Sequence, residues 1–128
     1  MAQVFYESGE LGAAQAVTTS EVFVTGSKAA VSMADQLAVY VENNGVTHAV
    51  TVKVYGALKD SPATGTLTDW FLMTNEAGGT TVAPAAGASA GALYDIAAVK
   101  HVMLTVTGAG AVVKDTVHYH TTAARSGK

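Results

Sequence analysis

Apolar and polar residues alternate with a period of two along much of this chain, as they do in strands with one buried face. The clearest run covers residues 46–58. Val46, His48, Val50, Val52 and Val54 fall on one face, and Thr47, Thr51, Lys53 and Tyr55 on the other. β-Branched side chains favour this state because they pack well on a pleated surface. Just before it, Leu37, Val39 and Val41 alternate with Ala38, Tyr40 and Glu42. Asn43-Asn44-Gly45 separates the two runs, and Asn-Gly tolerates the positive φ of tight hairpin turns. Residues 36–58 are therefore predicted to form a β-hairpin.

A second hairpin is predicted over residues 99–120. Val102, Leu104 and Val106 alternate with His101, Met103 and Thr105. Beyond Gly108-Ala109-Gly110, Val113 and Val117 share one face, with Lys114, Thr116 and His118 on the other. Asp115 falls in the apolar register, which calls for a bulge or a buried partner. Shorter runs predict strands at 3–7, 17–25, 29–33 and 66–74. Residues 60–65 form a turn cluster. Residues 83–92 are rich in alanine and glycine with too little bulk to pack, and read as a loop. Residues 90–100 fit a short helix or a strand.

About eight short strands with turn signals between them predict an all-β fold, an antiparallel β-sandwich or jelly roll, with a barrel as the nearest alternative. Residues 17–120 form its domain. Residues 1–16 and 121–128 read as flexible terminal arms. The first arm carries Val4, Phe5 and Tyr6 ahead of a Gly/Ala stretch, a composition suited to adding a strand to a neighbour's sheet edge. The alternative is that residues 3–7 are the first strand of the chain's own domain.

Residues 66–74 are apolar on both faces. Trp70 and Leu72 alternate with Leu67, Phe71 and Met73. Such a strand needs cover on both sides. Trp70 is expected to be buried, and Leu67, Phe71 and Met73 join Val4, Phe5 and Tyr6 as interface candidates.

Composition sharpens this picture. Only 13% of the 128 residues are charged, against roughly 25% in an average soluble domain. Depleted charge suits a surface partly covered by neighbours. The net charge of −3 and the scattered basic residues exclude a nucleic-acid partner. With no cysteine, disulfides, thiolate metal sites and cysteine nucleophiles are excluded. No basic stretch followed by an apolar run opens the sequence, so no signal peptide is expected, and no apolar run is long enough for a membrane-spanning helix.

Candidate chemistry is sparse. His118 and His120 form a His-x-His pair. A particular register of the second hairpin would put His101 opposite His118 and bring three imidazoles towards one zinc ion. The plainer reading, preferred here, is three half-exposed histidines and no metal. His48 sits among valines as a packed residue. The carboxylates form no calcium or metalloprotease pattern, and no pair is nominated for glycoside hydrolysis. Gly87-Ala-Ser-Ala-Gly91 only loosely mimics a nucleophile elbow. No enzymatic activity and no cofactor is expected.

Residues 37–45 (LAVYVENNG), 50–58 (VTVKVYGAL), the turn leading to Asp69-Trp70, and 96–107 (IAAVKHVMLTVT) occur in an order that resembles the small β-sandwich decoration, cement and other minor structural proteins of tailed bacteriophages. The resemblance covers roughly two thirds of the chain. The turn before Trp70 departs from it, being the longer 59–67 loop. The resemblance implies a homo-oligomeric virion protein, with a trimer the first expectation. It would assemble in the host cytoplasm and dock on the major capsid protein or another virion protein. A carbohydrate-binding or adhesion module is the competing reading, with Trp70 and Tyr55, Tyr94 or Tyr40 as stacking platforms.

Overall fold

The computed structural model describes residues 3–11 as backbone, and residues 17–24, 26–31, 34–45, 48–64, 66–110 and 117–125 in full. Among these residues the strands are β1 (Gln3–Leu11), β2 (Val22–Phe23), β3 (Ala29–Ala30), β4 (Gln36–Asn43), β5 (Val50–Ala57), β6 (Phe71–Leu72), β7 (Ala88–Asp95), β8 (His101–Gly108) and β9 (Val117–Ala124). They build two antiparallel sheets. Sheet A runs β1-β9-β4-β7, and sheet B runs β2-β8-β5-β6 with β3 also on β8.

The pairing is nested. β1 pairs with β9, β2 and β3 with β8, β4 with β7, and β5 with β6. A long hairpin rolled up so that successive pairs fall in opposite sheets is a jelly roll, with β2 and β3 sharing one interrupted strand position. The expected all-β sandwich is therefore present in its jelly-roll form.

The alternation in the sequence sets the faces. Leu37, Val39 and Val41 of β4, Val50, Val52 and Val54 of β5, and Val102, Leu104 and Val106 of β8 all point into one core between the sheets. Val117, Tyr119 and Ala123 complete it from β9, and Tyr94 and Ile96 from β7 and the turn after it.

Neither predicted hairpin forms. β4 lies in sheet A and β5 in sheet B, while β8 lies in sheet B and β9 in sheet A. Both connections are arches that cross the sandwich. Asn43 shows why the first one opens. Its Nδ2 donates to the carbonyls of His48 (3.0 Å) and Pro84 (3.2 Å), and its Oδ1 accepts from the Gly45 amide (3.0 Å). The side chain thus organises a crossing loop rather than a two-residue turn. At the second arch, the amides of Gly108 and Ala109 donate to Thr18 and Ala49 instead of to a returning strand. The predicted features at Val46, Thr47, Val113, Lys114, Asp115 and Thr116 lie outside the described residues, as do Thr25, Ser32 and Met33.

Other boundaries also differ from expectation. Among their described residues, the 17–25 and 29–33 runs supply the two-residue strands β2 and β3. Residues 66–74 do not form one strand. A one-turn 3-10 helix, Leu67–Asp69, precedes the two-residue β6. The alanine-rich stretch read as a loop contributes the first half of β7, and residues 90–95 resolve as strand. β9 extends to Ala124, because Thr121 and Ala123 continue the inward register of Val117 and Tyr119. Gln3–Leu11 runs as β1, antiparallel to β9.

Candidate interaction surfaces

The two sheets treat their outer faces differently. On sheet B the chain closes the face itself. Tyr55, Ala57, Trp70 and Met103 form a second apolar cluster there, with Phe23 packed against it. Two segments hold the cover down. The first carries Glu21, whose Oε2 accepts from the Tyr55 hydroxyl (2.8 Å) and from Thr105 Oγ1 (2.6 Å). Lys53 Nζ lies 4.0 Å from Oε1. Burial pushes the Glu21 carboxyl up, but the bonds from Thr105 and Tyr55 and the Lys53 charge outweigh it and hold the group below the usual range. Tyr55 is pushed up to about 12, by burial and then by its bond to Glu21 and that group's charge.

The second segment is the loop from Leu58 to Trp70. Asp69 Oδ2 accepts from the Ala63 amide and Oδ1 from Lys59 Nζ, both at 2.8 Å. These contacts, the Ala63 amide foremost, hold the Asp69 carboxyl below its usual value. The Trp70 indole N–H donates back to the Ala63 carbonyl at 3.0 Å. Lys28 Nζ reaches the Pro62 carbonyl (2.8 Å) and Lys100 Nζ reaches Asp60 (2.7 Å). Three lysines thus tie down the loop that buries Trp70, which is 7% exposed, as the sequence predicts.

On sheet A no described segment covers the outer face in the same way. Its cross-strand rows are Thr122-Ala38-Leu93, His120-Tyr40-Gly91 and His118-Glu42-Ser89. Tyr40 is 45% and Leu93 43% exposed. Between β4 and β7 they flank a shallow groove of about 330 Å³, lined also by Ala38, Val39, Gly91 and Ala92. The Tyr40 and His120 rings are 6.1 Å apart at 38°, and His120 Nε2 meets Glu42 Oε1 at 3.0 Å. A larger cleft of about 530 Å³ lies where β4 begins and β7 and β9 end, with Asp35, Glu76, Asp95 and Arg125 on its walls.

The interface candidates separate. Leu67 and Phe71 are exposed, at 52% and 43%. Met73 is buried in the core, where its sulfur packs with Val99 and the Phe71 ring tip around Gly56 of β5. Val4, Phe5 and Tyr6 lie in β1, with a register shift at Val4 and backbone partners Ala123 for Phe5 and Thr122 for Tyr6; their side chains lie outside the described part of the structure. Leu58, Leu72 and Leu93, also exposed, were not among the interface candidates, and Tyr40 was named only as a stacking platform. Tyr40 was legible as the aromatic residue on the polar side of the β4 alternation.

The histidines are dispersed. His101 lies in sheet B, and His118 and His120 lie in sheet A, because the hairpin that would gather them is an arch. The His48 ring lies against Gly110. Among the described residues no three His, Asp or Glu side chains are placed to share a metal ion. The aromatic residues proposed as a stacking platform are dispersed too. Tyr94 is in the core, Tyr55 and Trp70 lie beneath the sheet B cover, and Tyr40 is on the outer face of sheet A.

No family model and no curated protein matches the sequence. Among solved structures, the chain is similar to the SPBc2 prophage-derived protein YomS, at 14% identity and a TM-score of 0.52, over 97% of this chain and 99% of that one. A protein of the disulfide-linked pili that form Bacillus endospore appendages aligns at 11% identity and a TM-score of 0.46, over 97% of this chain and 92% of that one. The likeness to YomS is one of fold, extending end to end through both chains.

Proposed function

We propose that this chain is a non-enzymatic structural subunit of a phage-derived particle, of the capsid decoration type, working by self-association and by packing on the particle's lattice. The observation that carries the reading is the contrast between the two outer faces. Glu21, Asp69, the lysines and the aromatic cluster close sheet B, while sheet A presents the uncharged row Thr122-Ala38-Leu93 and an exposed Tyr40. Exposed apolar surface rimmed by polar groups marks interaction sites. Leu58, Leu67, Phe71 and Leu72 add exposed apolar residues on and before β6. The end-to-end jelly-roll likeness to a prophage-derived protein supports this reading, as does the low charge.

A subunit that binds only the assembled shell stabilises it by mass action, and many copies add avidity. The test is to purify released particles from the native source on a density gradient and probe them with antibody to this chain. Regular labelling of intact particles, and a lower dissociation temperature in particles lacking the chain, are expected. Particles without the chain overturn the reading.

A further inference from the structure

β7 is an open sheet edge, and its backbone alternation suits it to a second copy of itself. It pairs with β4 on one side and with no described strand on the other. Two bonds fix which groups face outward. The Leu93 carbonyl accepts from Glu76 N, so Leu93 points its backbone away from β4, whereas the Ile96 amide donates to Asp35 beside the start of β4. In an antiparallel ladder this orientation alternates. Ser89 and Gly91 therefore also turn their N–H and C=O away from β4, and Ala90 and Ala92 turn theirs towards it. Glu76 covers the Leu93 carbonyl at the end of the edge, and no described backbone group bonds the outward side of Ser89 or Gly91.

We propose that two copies of the chain pair antiparallel through β7 about a two-fold axis at Ala90, joining their A sheets into one. Ser89 then exchanges both backbone hydrogen bonds with Gly91 of the partner subunit, and Gly91 does so with Ser89 of the partner subunit. Self-pairing is favoured over a foreign strand by the edge's own chemistry. Residues 88–93 carry no charge, so the two copies do not repel where they face each other. Their side chains up to Ala92 are Ala, Ser or Gly, so the strands meet without obstruction. The other described edges fit less well. β2, β3 and β6 are two residues long, and β1 carries Glu7 and Glu10. An uncovered edge is otherwise an aggregation hazard, and a closed two-fold contact removes it. The proposal rests on the reading of the chain as a self-associating structural subunit and names the contact.

The chain has no cysteine, so a disulfide reports directly on the register. Ala90 faces its own copy as a non-hydrogen-bonded pair, with Cα atoms about 4.5 Å apart, within disulfide range. Oxidised Ala90→Cys is expected to run as a dimer on a non-reducing gel. Ser89→Cys, whose counterpart is Gly91, is expected to stay monomeric. Light scattering of the unmodified protein is expected to give twice the 13.0 kDa chain mass. Ser89→Pro removes an outward N–H without touching the β4 ladder, and is expected to halve that mass with circular dichroism unchanged. A 13.0 kDa wild type across micromolar concentrations overturns the proposal. So does a trimer, or cross-linking at residue 89 as efficient as at residue 90. A wild type that associates but ignores both substitutions overturns the β7 contact and leaves the structural-subunit reading standing. Absence of the chain from particles, with the Ala90→Cys variant still cross-linking, does the reverse.

Discussion

The Tyr55 hydroxyl donates to Glu21 Oε2 at 2.8 Å, on the same oxygen that Thr105 Oγ1 reaches at 2.6 Å. One carboxylate oxygen thus joins the segment before β2 to β5 and β8, the two central strands of sheet B. Glu21→Ala leaves the Thr105 hydroxyl without this acceptor in a residue that is 1% exposed. Removing one partner from a buried donor costs about 1–3 kcal/mol, and a lowered unfolding midpoint in urea with an unchanged slope is the expected result.

The same contact predicts an acid limb. The Glu21 carboxyl sits below its usual value in the folded chain. Its contribution is therefore fully present above the ordinary carboxylate value of 4.5 and is lost as pH falls through the depressed folded value. Glu21→Gln is expected to flatten the stability-versus-pH curve in that window. A curve parallel to wild type below pH 4.5 shows that Glu21 contributes nothing there.

An alkaline limb follows from Tyr55. Its folded value of about 12 lies above the ordinary 10.0, so its contribution is complete below pH 10.0 and is lost as pH rises towards about 12. In a phenolate absorbance titration, Tyr55 and the buried Tyr94, which burial also raises, are expected to ionise late. In Glu21→Gln the Tyr55 step is expected to move earlier and the Tyr94 step to stay. Movement of both indicates general loosening of the fold instead.

Much of this fold was legible because alternation reports burial directly. Val50, Val52 and Val54 had to share a face, and so did Leu37, Val39 and Val41. What alternation does not encode is which sheet a strand joins. Asn43-Asn44-Gly45 signals a change of direction, but a turn within a sheet and an arch between sheets place the same apolar face inward. The partner of each strand was therefore misassigned at both predicted hairpins, and with it the approach of His101 to His118. Small residues hid β7 as well. Alanine and glycine carry little strand propensity, yet Gly91 is suited to its place. A Cβ there meets the Val39 carbonyl at 3.2 Å and the Tyr40 ring at 3.5 Å. Tyr40 itself stood out in the pattern, whereas the closing of sheet B by Glu21 and Asp69 depends on contacts between segments far apart in the chain.

Asp69 and Trp70 act together in the loop over sheet B. Asp69 fixes the Ala63 amide, and the Ala63 carbonyl in turn receives the Trp70 indole N–H. Trp70→Ala is expected to cost about 3–5 kcal/mol, as for other large aromatic truncations in packed surroundings. Asp69→Ala leaves the ring present but frees the loop, so the tryptophan emission is expected to shift to longer wavelength while the fold persists. Asp69→Asn keeps an oxygen for Ala63 and loses the ion pair with Lys59, and its shift is expected to be smaller. Emission unchanged in both variants shows that the packing of Tyr55, Ala57 and Met103 alone holds the indole.

β1 offers the last test, because it separates folding from association. The strand follows β9 from Leu11 opposite Val117 to Gln3 opposite Ala124, and β9 is itself central to sheet A, between β1 and β4. Deleting Gln3–Leu11 uncovers that ladder along its full length. Buried or half-buried backbone groups lose their partners at a cost comparable to a lost hydrogen bond each, so the deletion is expected to lower the thermal midpoint markedly. The sequence alone also allows the opposite outcome, in which Val4, Phe5 and Tyr6 grip a neighbouring copy. The two are distinguished by measuring unfolding and association separately, with the deletion made in the Ala90→Cys background. A destabilised chain that still cross-links through residue 90 assigns β1 to its own sheet and leaves the β7 edge as the contact between copies. A chain that folds at the wild-type midpoint but no longer associates transfers that role to β1.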